Sequence, residues 1–241
     1  MKVTLLIFTI NEEIGMKKIM PQIDKSLIDQ IIICDGGSVD KTCEIAKEHN
    51  CTIYKQKQKG LSRAYAEVWP LIKGDIVITF SPDGNSLPNK IPELIQEMRS
   101  GKDMVIVSRY LGDAKSYDDS LLSGFGNSFF TKSINLFHGG KYTDALVMFR
   151  AYKKNIFYSL QVDQYKYYQL YDFLFFTHIG VEPLLSVRAA KAKLKIGEIP
   201  GDEPKRIGGR AKLQIIRWSL AYYLQILFEI FISRKNFFKE R

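Results

Sequence analysis

The sequence predicts an α/β fold with a mostly parallel sheet flanked by helices, because apolar runs alternate with helical patterns. Several of these runs are nearly continuous and rich in β-branched residues, as expected of strands that are covered on both faces. With 241 residues, 46% of them hydrophobic, the chain can bury one large core. These observations together predict a single sheet whose parallel strands are joined by right-handed crossovers.

The predicted strands of the first half are short and regularly spaced. They cover residues 2–10, 30–34, 51–55, 75–80 and 103–108. Helical patterns separate them at residues 12–23, 40–50, 61–73 and 89–101. The amino-terminal run turns acidic after ten residues and lacks the pattern of a cleaved signal peptide, so we interpret it as the first core strand.

The second half of the chain is less regular. We predict a helix over 121–137, a strand within 141–152 and one long apolar helix over 169–191. Residues 194–212 indicate a strand followed by a loop rich in glycine, proline and charge. We therefore predict one domain over residues 1–212 and a separate helix over residues 213–241.

The carboxy-terminal segment 213–241 is mainly apolar, but Gln214, Arg217, Gln225 and Glu229 interrupt it along one helical side. A spanning helix needs about 20 apolar residues with few or no charges. An amphipathic helix that lies on the membrane surface agrees better with this pattern. The alternatives are a helix that packs on the core and one that joins two copies of the chain in a homodimer.

Charge is concentrated near the carboxyl terminus. The formal net charge is +9, and residues 188–241 carry thirteen basic and five acidic residues, a balance of +8. This distribution predicts an anionic partner such as a phosphate or a lipid surface; we expect no nucleic acid, because no recognition motif accompanies it. Three cysteines without a CxxC spacing favour a reducing, cytoplasmic compartment.

Acidic residues follow two of the predicted strands. Asp35 in "ICDGGSVDKT" ends one strand, at the edge where open α/β sheets bind ligands. In "FSPDGNSLP", Asp83 and Asn85 offer two oxygen ligands, which suits Mg²⁺ or Mn²⁺ completed by water and a diphosphate. The alternative for both stretches is a turn, since Asp, Asn and Gly are common turn residues.

Several short motifs occur along the chain in an order that is typical of a known protein family. "FTINEE", "CDGGSVDKT", "KGLSRAY", "FSPDGNSLP", "VSRY", "TDALVMFR" and "EIPGDEPKRIGGRAK" follow one another along the chain. In this order they resemble the family-2 glycosyltransferases of the GT-A fold, most closely the dolichol-phosphate mannose synthase-like branch. The resemblance covers roughly residues 1–213. Ser81 departs from the family pattern, because it stands at the first acid of the DxD metal motif.

The resemblance implies a role for particular residues of this sequence. It implies that the nucleotide contacts Thr9, Asn11, Glu12, Asp35, Gly36 and Arg63. It implies that phosphate contacts Arg109, Arg206 and Lys212 and that a metal contacts Asp83 and Asn85. The implied catalytic residues are Asp83, Asp144 and Glu182, and for Asp144 a structural hydrogen bond is an equal alternative.

The implied function is inverting, metal-dependent transfer of a sugar from a nucleotide-sugar donor. The acceptor would be a polyprenyl phosphate or lipid-linked glycan at the inner face of the cytoplasmic membrane. An ionised phosphate acceptor needs no strong general base, whereas a hydroxyl acceptor would give Asp144 or Glu182 more weight. The alternatives are a sugar-1-phosphate nucleotidylyltransferase and a catalytically degenerate protein that binds sugar nucleotides or acts as a scaffold.

Overall fold

The computed structural model describes residues 1–207 and 215–238, and a seven-stranded sheet lies at its centre. The strands are β1 Val3–Thr9, β2 Gln30–Asp35, β3 Thr52–Lys55, β4 Ile76–Phe80, β5 Met104–Ser108, β6 Arg150–Lys153 and β7 Ile196–Pro200. Their order across the sheet is β3-β2-β1-β4-β6-β5-β7. Only the pairs that involve β6 are antiparallel, so the predicted mostly parallel sheet is confirmed.

The five strands predicted in the first half each match an observed strand to within one residue at either end. The described helices are α1 Glu13–Ile19, α2 Thr42–Glu48, α3 Leu61–Val68, α4 Ile91–Arg99, α5 Leu121–His138, α6 Lys154–Ser159, α7 Gln169–Phe175, α8 Glu182–Lys191, α9 Ile215–Phe228 and α10 Arg234–Phe237. The predicted boundary between residues 212 and 213 lies outside the described residues.

The sheet separates two hydrophobic cores, because successive side chains of a strand point to opposite faces. Leu6 of β1 packs in one core with side chains from α3, α5, α8 and α9. Leu5 and Ile7 pack in the other core with side chains from α1, α2 and α4. Burial on both faces explains why the strands read as nearly continuous apolar runs.

The strand order reverses between β1 and β4, which are neighbours in the sheet. From β1 the chain proceeds to β2 and β3 on one side, whereas β4 begins the other side. The carboxyl ends of β1, β2 and β4 therefore border the crevice where open α/β sheets bind ligands. Thr9, Asp35 and Asp83 lie at or just beyond these three strand ends.

The prediction of one long helix over residues 169–191 is wrong, because the chain breaks between α7 and α8. Phe176 ends α7 in the left-handed conformation, with φ of 48°. The Asp172 carboxylate then accepts a hydrogen bond from Ile179 N at 3.1 Å, which fixes the turn. Pro183 occupies the first turn of α8, where a missing N–H is tolerated, but would disrupt a continuous helix.

Helix α9 packs on the body of the protein through a mixed side: Ala221 and Ile226 are buried in the core, whereas Arg217 is exposed. Gln225 and Glu229 are buried, and Gln225 Nε2 donates to the carbonyl oxygen of Tyr167 at 3.0 Å. Leu220 and Phe228 are exposed as well. Within residues 1–207 and 215–238, no helix has the length and apolarity needed to cross a bilayer.

Candidate active site

The ends of β1 and β2 share one hydrogen-bonded turn, in which the buried Asp35 is the central acceptor. Its carboxylate accepts hydrogen bonds from Thr9 Oγ1 at 3.3 Å, Gly37 N at 3.1 Å and Ser38 N at 3.1 Å. Gly37 has φ of +100°, which glycine adopts without strain. Asp35 thus stabilises the turn that we named as the alternative for this stretch, and its contact with a nucleotide stays a prediction.

The segment that follows β1 is bound to the same turn. Asn11 N donates to Ser38 Oγ at 2.9 Å, and Glu12 N donates to Thr42 Oγ1 at 2.8 Å. The backbone N–H of Gly36 donates to the carbonyl oxygen at the end of β1 at 2.8 Å. The structure therefore brings together five of the six side chains or backbone groups that we predict to contact the nucleotide.

The sixth predicted nucleotide contact, Arg63, belongs to a different local arrangement. It lies on α3, and its guanidinium carbon is 4.0 Å from the centre of the Tyr165 ring. Arg63 Nη1 donates to Gln58 Oε1 at 2.5 Å. A stacked guanidinium of this kind is held by an aromatic face as well as by a hydrogen bond.

The loop after β4 holds the predicted metal ligands and is seated on α1. A Cβ atom added to Gly15 would lie 2.2 Å from the carbonyl oxygen of Pro82, so only glycine permits this approach. Asp83 Oδ1 accepts a hydrogen bond from Asn85 N at 3.2 Å, which is the turn that we named as the alternative. Asp83 Oδ2 remains beside Arg206, whose Nη1 is 3.5 Å away.

Asn85 presents the second oxygen of this loop. Its Nδ2 donates to Asp118 Oδ2 at 3.0 Å and to Glu203 Oε1 at 3.4 Å, while its Oδ1 is buried with no hydrogen-bond partner among the described residues. An orphaned amide oxygen two residues after a carboxylate fits a hard divalent cation that also takes water and diphosphate oxygens. In the described part of the chain, no three His, Cys, Asp or Glu side chains could hold a metal together.

Arg109 follows β5 and lies between two carboxylates. Its Nε is 2.6 Å from Asp144 Oδ2, its Nη2 is 3.0 Å from Asp144 Oδ1, and its Nη1 is 3.1 Å from Glu203 Oε2. Burial opposes the charge of Arg109, but the two carboxylates outweigh burial and raise the pKa of the guanidinium above its ordinary value. Asp144 is fully buried with both oxygens engaged, which favours its structural role, and its catalytic role stays a prediction.

Glu182 begins α8 and is buried beside Tyr222. Tyr65 Oη donates to Glu182 Oε1 at 3.0 Å. Burial raises the pKa of Glu182, although the charge of Arg150 and hydrogen bonds to the carboxylate oppose the shift. Such a carboxyl group holds a proton more strongly than an exposed one, and raised pKa values of this kind are found in many general acids and bases. Burial raises the pKa of Glu198 as well.

A cavity of about 750 Å³ joins several of these groups. Its lining includes a polar cluster of Asp83, Asn85, Arg109, Glu203 and Arg206, which contact one another. Glu182 also lines the cavity, beside Tyr222. Other walls come from α5 and α9 and consist largely of Phe125, Phe129, Phe130, Trp218, Tyr222 and Tyr223. Asp144 lies behind Arg109, and the Asp35 turn is not part of the described lining. Predicted metal, phosphate and base residues therefore converge, whereas the predicted nucleotide residues border the site from the strand ends.

Asp118 and Glu203, which connect the loop after β4 to the arginines, were not predicted from the sequence. Both lie in polar stretches whose charge composition gave no sign of particular partners. Tyr65 was not predicted either, because a tyrosine on the apolar face of a helix is usually interpreted as a core residue. Lys212, the remaining predicted phosphate ligand, lies outside the described residues.

The fold and the site define an α/β protein of the GT-A class, with a largely parallel sheet and a carboxylate loop beyond β4. The chain belongs to glycosyl transferase family 2, whose family model matches residues 4–161. The membership confirms the resemblance drawn from the motifs, and it favours a glycosyltransferase over a nucleotidylyltransferase.

Curated relatives agree with the dolichol-phosphate branch. Dolichol-phosphate mannosyltransferase of Pyrococcus furiosus is 32% identical over 123 residues, which are 48% of this chain and 35% of that protein. UDP-N-acetylglucosamine–dolichyl-phosphate N-acetylglucosaminyltransferase of Methanococcus voltae is 26% identical over 225 residues, covering 81% of this chain and 83% of that protein. The chain spans about a third of the length of the Pyrococcus protein and of a Haloferax volcanii hexosyltransferase that it also matches.

A solved structure shows the same fold. Glucosyl-3-phosphoglycerate synthase from Mycobacterium tuberculosis, in complex with Mn²⁺, uridine diphosphate and phosphoglyceric acid, superimposes with a TM-score of 0.70. The match covers 96% of this chain and 79% of that chain at 16% sequence identity. At this identity the likeness establishes the GT-A fold, which confirms the predicted fold class.

Proposed function

We propose that this chain is an inverting, metal-dependent glycosyltransferase that moves a sugar from a nucleotide-sugar donor to a polyprenyl phosphate. The observation that carries the proposal is the cavity, whose lining combines a cluster of carboxylates and arginines with aromatic walls. The polar cluster suits a diphosphate and a lipid phosphate, and the aromatic walls suit a prenyl chain. Relatives named for dolichyl-phosphate and undecaprenyl-phosphate acceptors support the same acceptor class.

Asp83 and Asn85 would hold the divalent cation, Mg²⁺ or Mn²⁺, beside the diphosphate of the donor. When bound, the cation would neutralise negative charge on the departing nucleoside diphosphate. Ser81 replaces an acid of the family motif, so this chain would offer one carboxylate oxygen and one amide oxygen. The Mn²⁺ in the mycobacterial structure supports the choice of ion by analogy of fold.

Arg109 and Arg206 would bind phosphate oxygens at the polar cluster of the cavity. Both guanidinium groups line the cavity, and each is also paired with carboxylates. An ionised phosphate acceptor is already a nucleophile and needs no strong general base. Glu182, buried against Tyr65, would serve as a base only for an acceptor that attacks through a hydroxyl group.

The acceptor lipid would reach the cavity across an exposed surface that we call the outer apolar face. It consists of the exposed residues Leu122, Phe125, Phe129, Phe173, Leu174, Phe176, Leu220, Phe228 and Phe231. Helix α9 lies between α5 and α7: the Phe129 and Tyr223 rings are 5.1 Å apart, and the Tyr171 and Phe228 rings are 6.4 Å apart. Phe125, Phe129 and Leu220 also line the cavity, so the face is continuous with it.

An anionic lipid bilayer is the partner that this face fits. Large aromatic and aliphatic side chains enter the boundary between lipid head groups and acyl chains, and nearby basic residues attract anionic lipids. Lys132, Lys166, Arg217 and Lys235 are exposed on the same helices or the segments next to them. We therefore infer a peripheral location on the inner face of the cytoplasmic membrane, with α5, α7 and α9 contributing together.

The test is an assay of sugar transfer into lipid. The full chain is incubated with Mn²⁺, a polyprenyl phosphate in detergent micelles and radiolabelled UDP-, GDP-, CDP- or dTDP-sugars, and the label extracted into organic solvent is counted. We expect one donor class to give labelled lipid, strongly reduced in Asp83→Asn. Asp113→Asn is the matched control, because Asp113 is an exposed aspartate outside the cavity lining.

Other outcomes would point to the alternatives. Nucleotide-sugar binding without transfer would indicate a degenerate binding protein, and transfer only to a soluble hydroxyl acceptor would contradict the polyprenyl phosphate. Formation of nucleoside triphosphate from pyrophosphate would indicate a nucleotidylyltransferase. Full activity in Asp83→Asn would remove the metal role of this loop and leave Asp83 as a turn residue.

A further inference from the structure

Arg206 lies between two carboxylates at the polar cluster of the cavity. Its Nη1 is 3.5 Å from Asp83 Oδ2, and its Nε and Nη2 are 3.3 Å and 3.2 Å from Asp118 Oδ2. One guanidinium group thus balances two acids, one of which is the predicted metal ligand. The distances place positive charge beside the same Asp83 oxygen that a divalent cation would bind.

The backbone around Arg206 shows that this placement is part of the fold. Arg206 N donates to Asp118 Oδ1 at 3.3 Å, and Ile207 N donates to the carbonyl oxygen of Asp83 at 2.7 Å. The Ile207 side chain covers Gly84 so closely that a Cβ atom there would lie 2.5 Å from it. The segment that carries Arg206 is therefore attached to the loop after β4 by main-chain as well as side-chain contacts.

The same segment is attached to the polar loop that contains Asp118. Glu203 N donates to the carbonyl oxygen of Lys115 at 2.9 Å, and Tyr117 N donates to that of Glu203 at 2.8 Å. Lys115 N also donates to Asp202 Oδ1 at 2.8 Å. These bonds hold Asp118 opposite Arg206, so two separate loops converge on Asp83.

We propose that Arg206 is the resident counter-ion of Asp83 and that a divalent cation displaces it on binding. The proposal rests on the proposed function in one respect, because it takes Asp83 as a metal ligand. A guanidinium group and a divalent cation repel each other at contact distance, and both cannot approach the same oxygen. Once displaced, the Arg206 guanidinium binds the donor diphosphate. Metal binding is therefore coupled to the release of an arginine that binds phosphate.

The coupling affects how tightly Mn²⁺ binds when no nucleotide is present. Mn²⁺ without a diphosphate must displace Arg206 with no new anion to receive the guanidinium. Removal of the guanidinium should therefore strengthen Mn²⁺ binding in the absence of nucleotide. A role limited to phosphate binding predicts no such gain, because no phosphate is present.

The experiment measures free Mn²⁺ by electron paramagnetic resonance as Mn²⁺ alone is added to the full chain without nucleotide. We expect Arg206→Gln to lower the Kd for Mn²⁺ by at least about tenfold relative to the unmodified chain, since it removes a charge in contact with Asp83. Lys205→Gln is the matched control, because Lys205 is the adjacent exposed residue and the substitution removes the same charge. Its Kd should stay within about twofold, as expected for an exposed charge that salt screens.

Asp83→Asn separates failure of this proposal from failure of the metal site. If Asp83→Asn abolishes Mn²⁺ binding but Arg206→Gln does not strengthen it, the metal site stands and the counter-ion proposal is overturned. Equal gains in Arg206→Gln and Lys205→Gln would also overturn it, since the effect would then be long-range charge. Absence of binding in both the unmodified chain and Arg206→Gln would show that Arg206 is not what excludes the ion. Binding that does not depend on Asp83 would overturn both proposals.

Discussion

Glu229 Oε1 lies 2.7 Å from Arg188 Nη2, and both side chains are buried. The Arg188 guanidinium carbon is also 3.8 Å from the centre of the Tyr167 ring and 4.9 Å from that of Phe237. This ion pair connects α8 with the segment after α9, so it is one of several polar attachments of the carboxy-terminal helices to the body.

Loss of one partner of this pair should destabilise the whole protein. We expect Glu229→Ala to lower the free energy of unfolding by about 3–5 kcal/mol, because it leaves the Arg188 charge buried without its carboxylate counter-ion. Urea unfolding followed by circular dichroism measures the change. Lys235→Ala, at an exposed position nearby, should stay within about 0.5 kcal/mol. A loss below about 1 kcal/mol in Glu229→Ala would show that water reaches Arg188.

Asp35 should be needed for affinity toward the donor nucleotide. We expect Asp35→Ala to weaken binding of the accepted donor's nucleoside diphosphate by about tenfold or more, as expected when a hydrogen bond to a charged group is lost. Isothermal titration calorimetry measures this affinity directly. Ser38→Ala keeps the carboxylate and removes one of its donors, so it controls for the shape of the turn. Intact nucleotide affinity with reduced turnover would contradict the predicted contact.

Charges placed on the outer apolar face should prevent membrane binding. Phe173 and Phe231 are 74% and 84% exposed, so Phe173→Glu and Phe231→Glu should cost little stability. Burial of one such side chain in lipid contributes about 1.5–3 kcal/mol, so each substitution should lower binding to anionic vesicles by about tenfold or more. Val39→Glu is the control, because Val39 is 92% exposed next to the Asp35 turn.

Co-sedimentation with anionic and neutral vesicles distinguishes the partners of this face. Strong binding to anionic vesicles that high salt and the glutamate substitutions weaken would support the membrane. If the unmodified chain binds neither vesicle type and sediments as a dimer that Phe173→Glu dissociates, the face joins two copies of the chain instead.

Glu182 should make stability depend on pH. Burial raises its folded-state pKa above the ordinary value of 4.5, so the folded chain holds the proton more strongly than the unfolded chain. Between these two pKa values the folded state binds more protons, and the contribution of Glu182 to stability therefore falls as pH rises. Glu182→Gln removes this titration. Its free energy of unfolding relative to the unmodified chain should increase from pH 4.5 upward, and a constant difference would contradict the shift.

The fold could be predicted largely because strands that are buried on both faces of the sheet consist of nearly continuous apolar residues. β1 and β4 appear as apolar runs, and their bounds followed from composition alone. The break between α7 and α8 was missed because the apolar pattern continues through Phe176, whereas the turn depends on a side chain of α7 that binds the backbone seven residues later. The local pattern of apolar residues does not predict a hydrogen bond between a side chain and a distant backbone group.

Residues of the site could be predicted where a sequence motif contains them. Residues that join the site only through tertiary contacts could not be predicted. Asp83, Asn85 and Arg109 were found from their stretches, and the structure places all three in the cavity lining. Asp118 and Glu203 were not, because their roles arise only when two distant loops pair. The packing of α9 was left open for a related reason: the pattern identifies polar positions but not whether protein or water contacts them.

The antiparallel strand β6 constrains the order in which the sheet can be assembled during synthesis. β1 to β4 can pair with one another as soon as they leave the ribosome, since each neighbour has already been made. β5 then emerges before either of the strands that flank it, β6 and β7. Until Arg150–Lys153 is translated, the apolar strand β5 has no place in the sheet and β4 has a bare edge. We expect a nascent chain at this stage to expose one unpaired apolar strand and one open sheet edge, both of which favour aggregation.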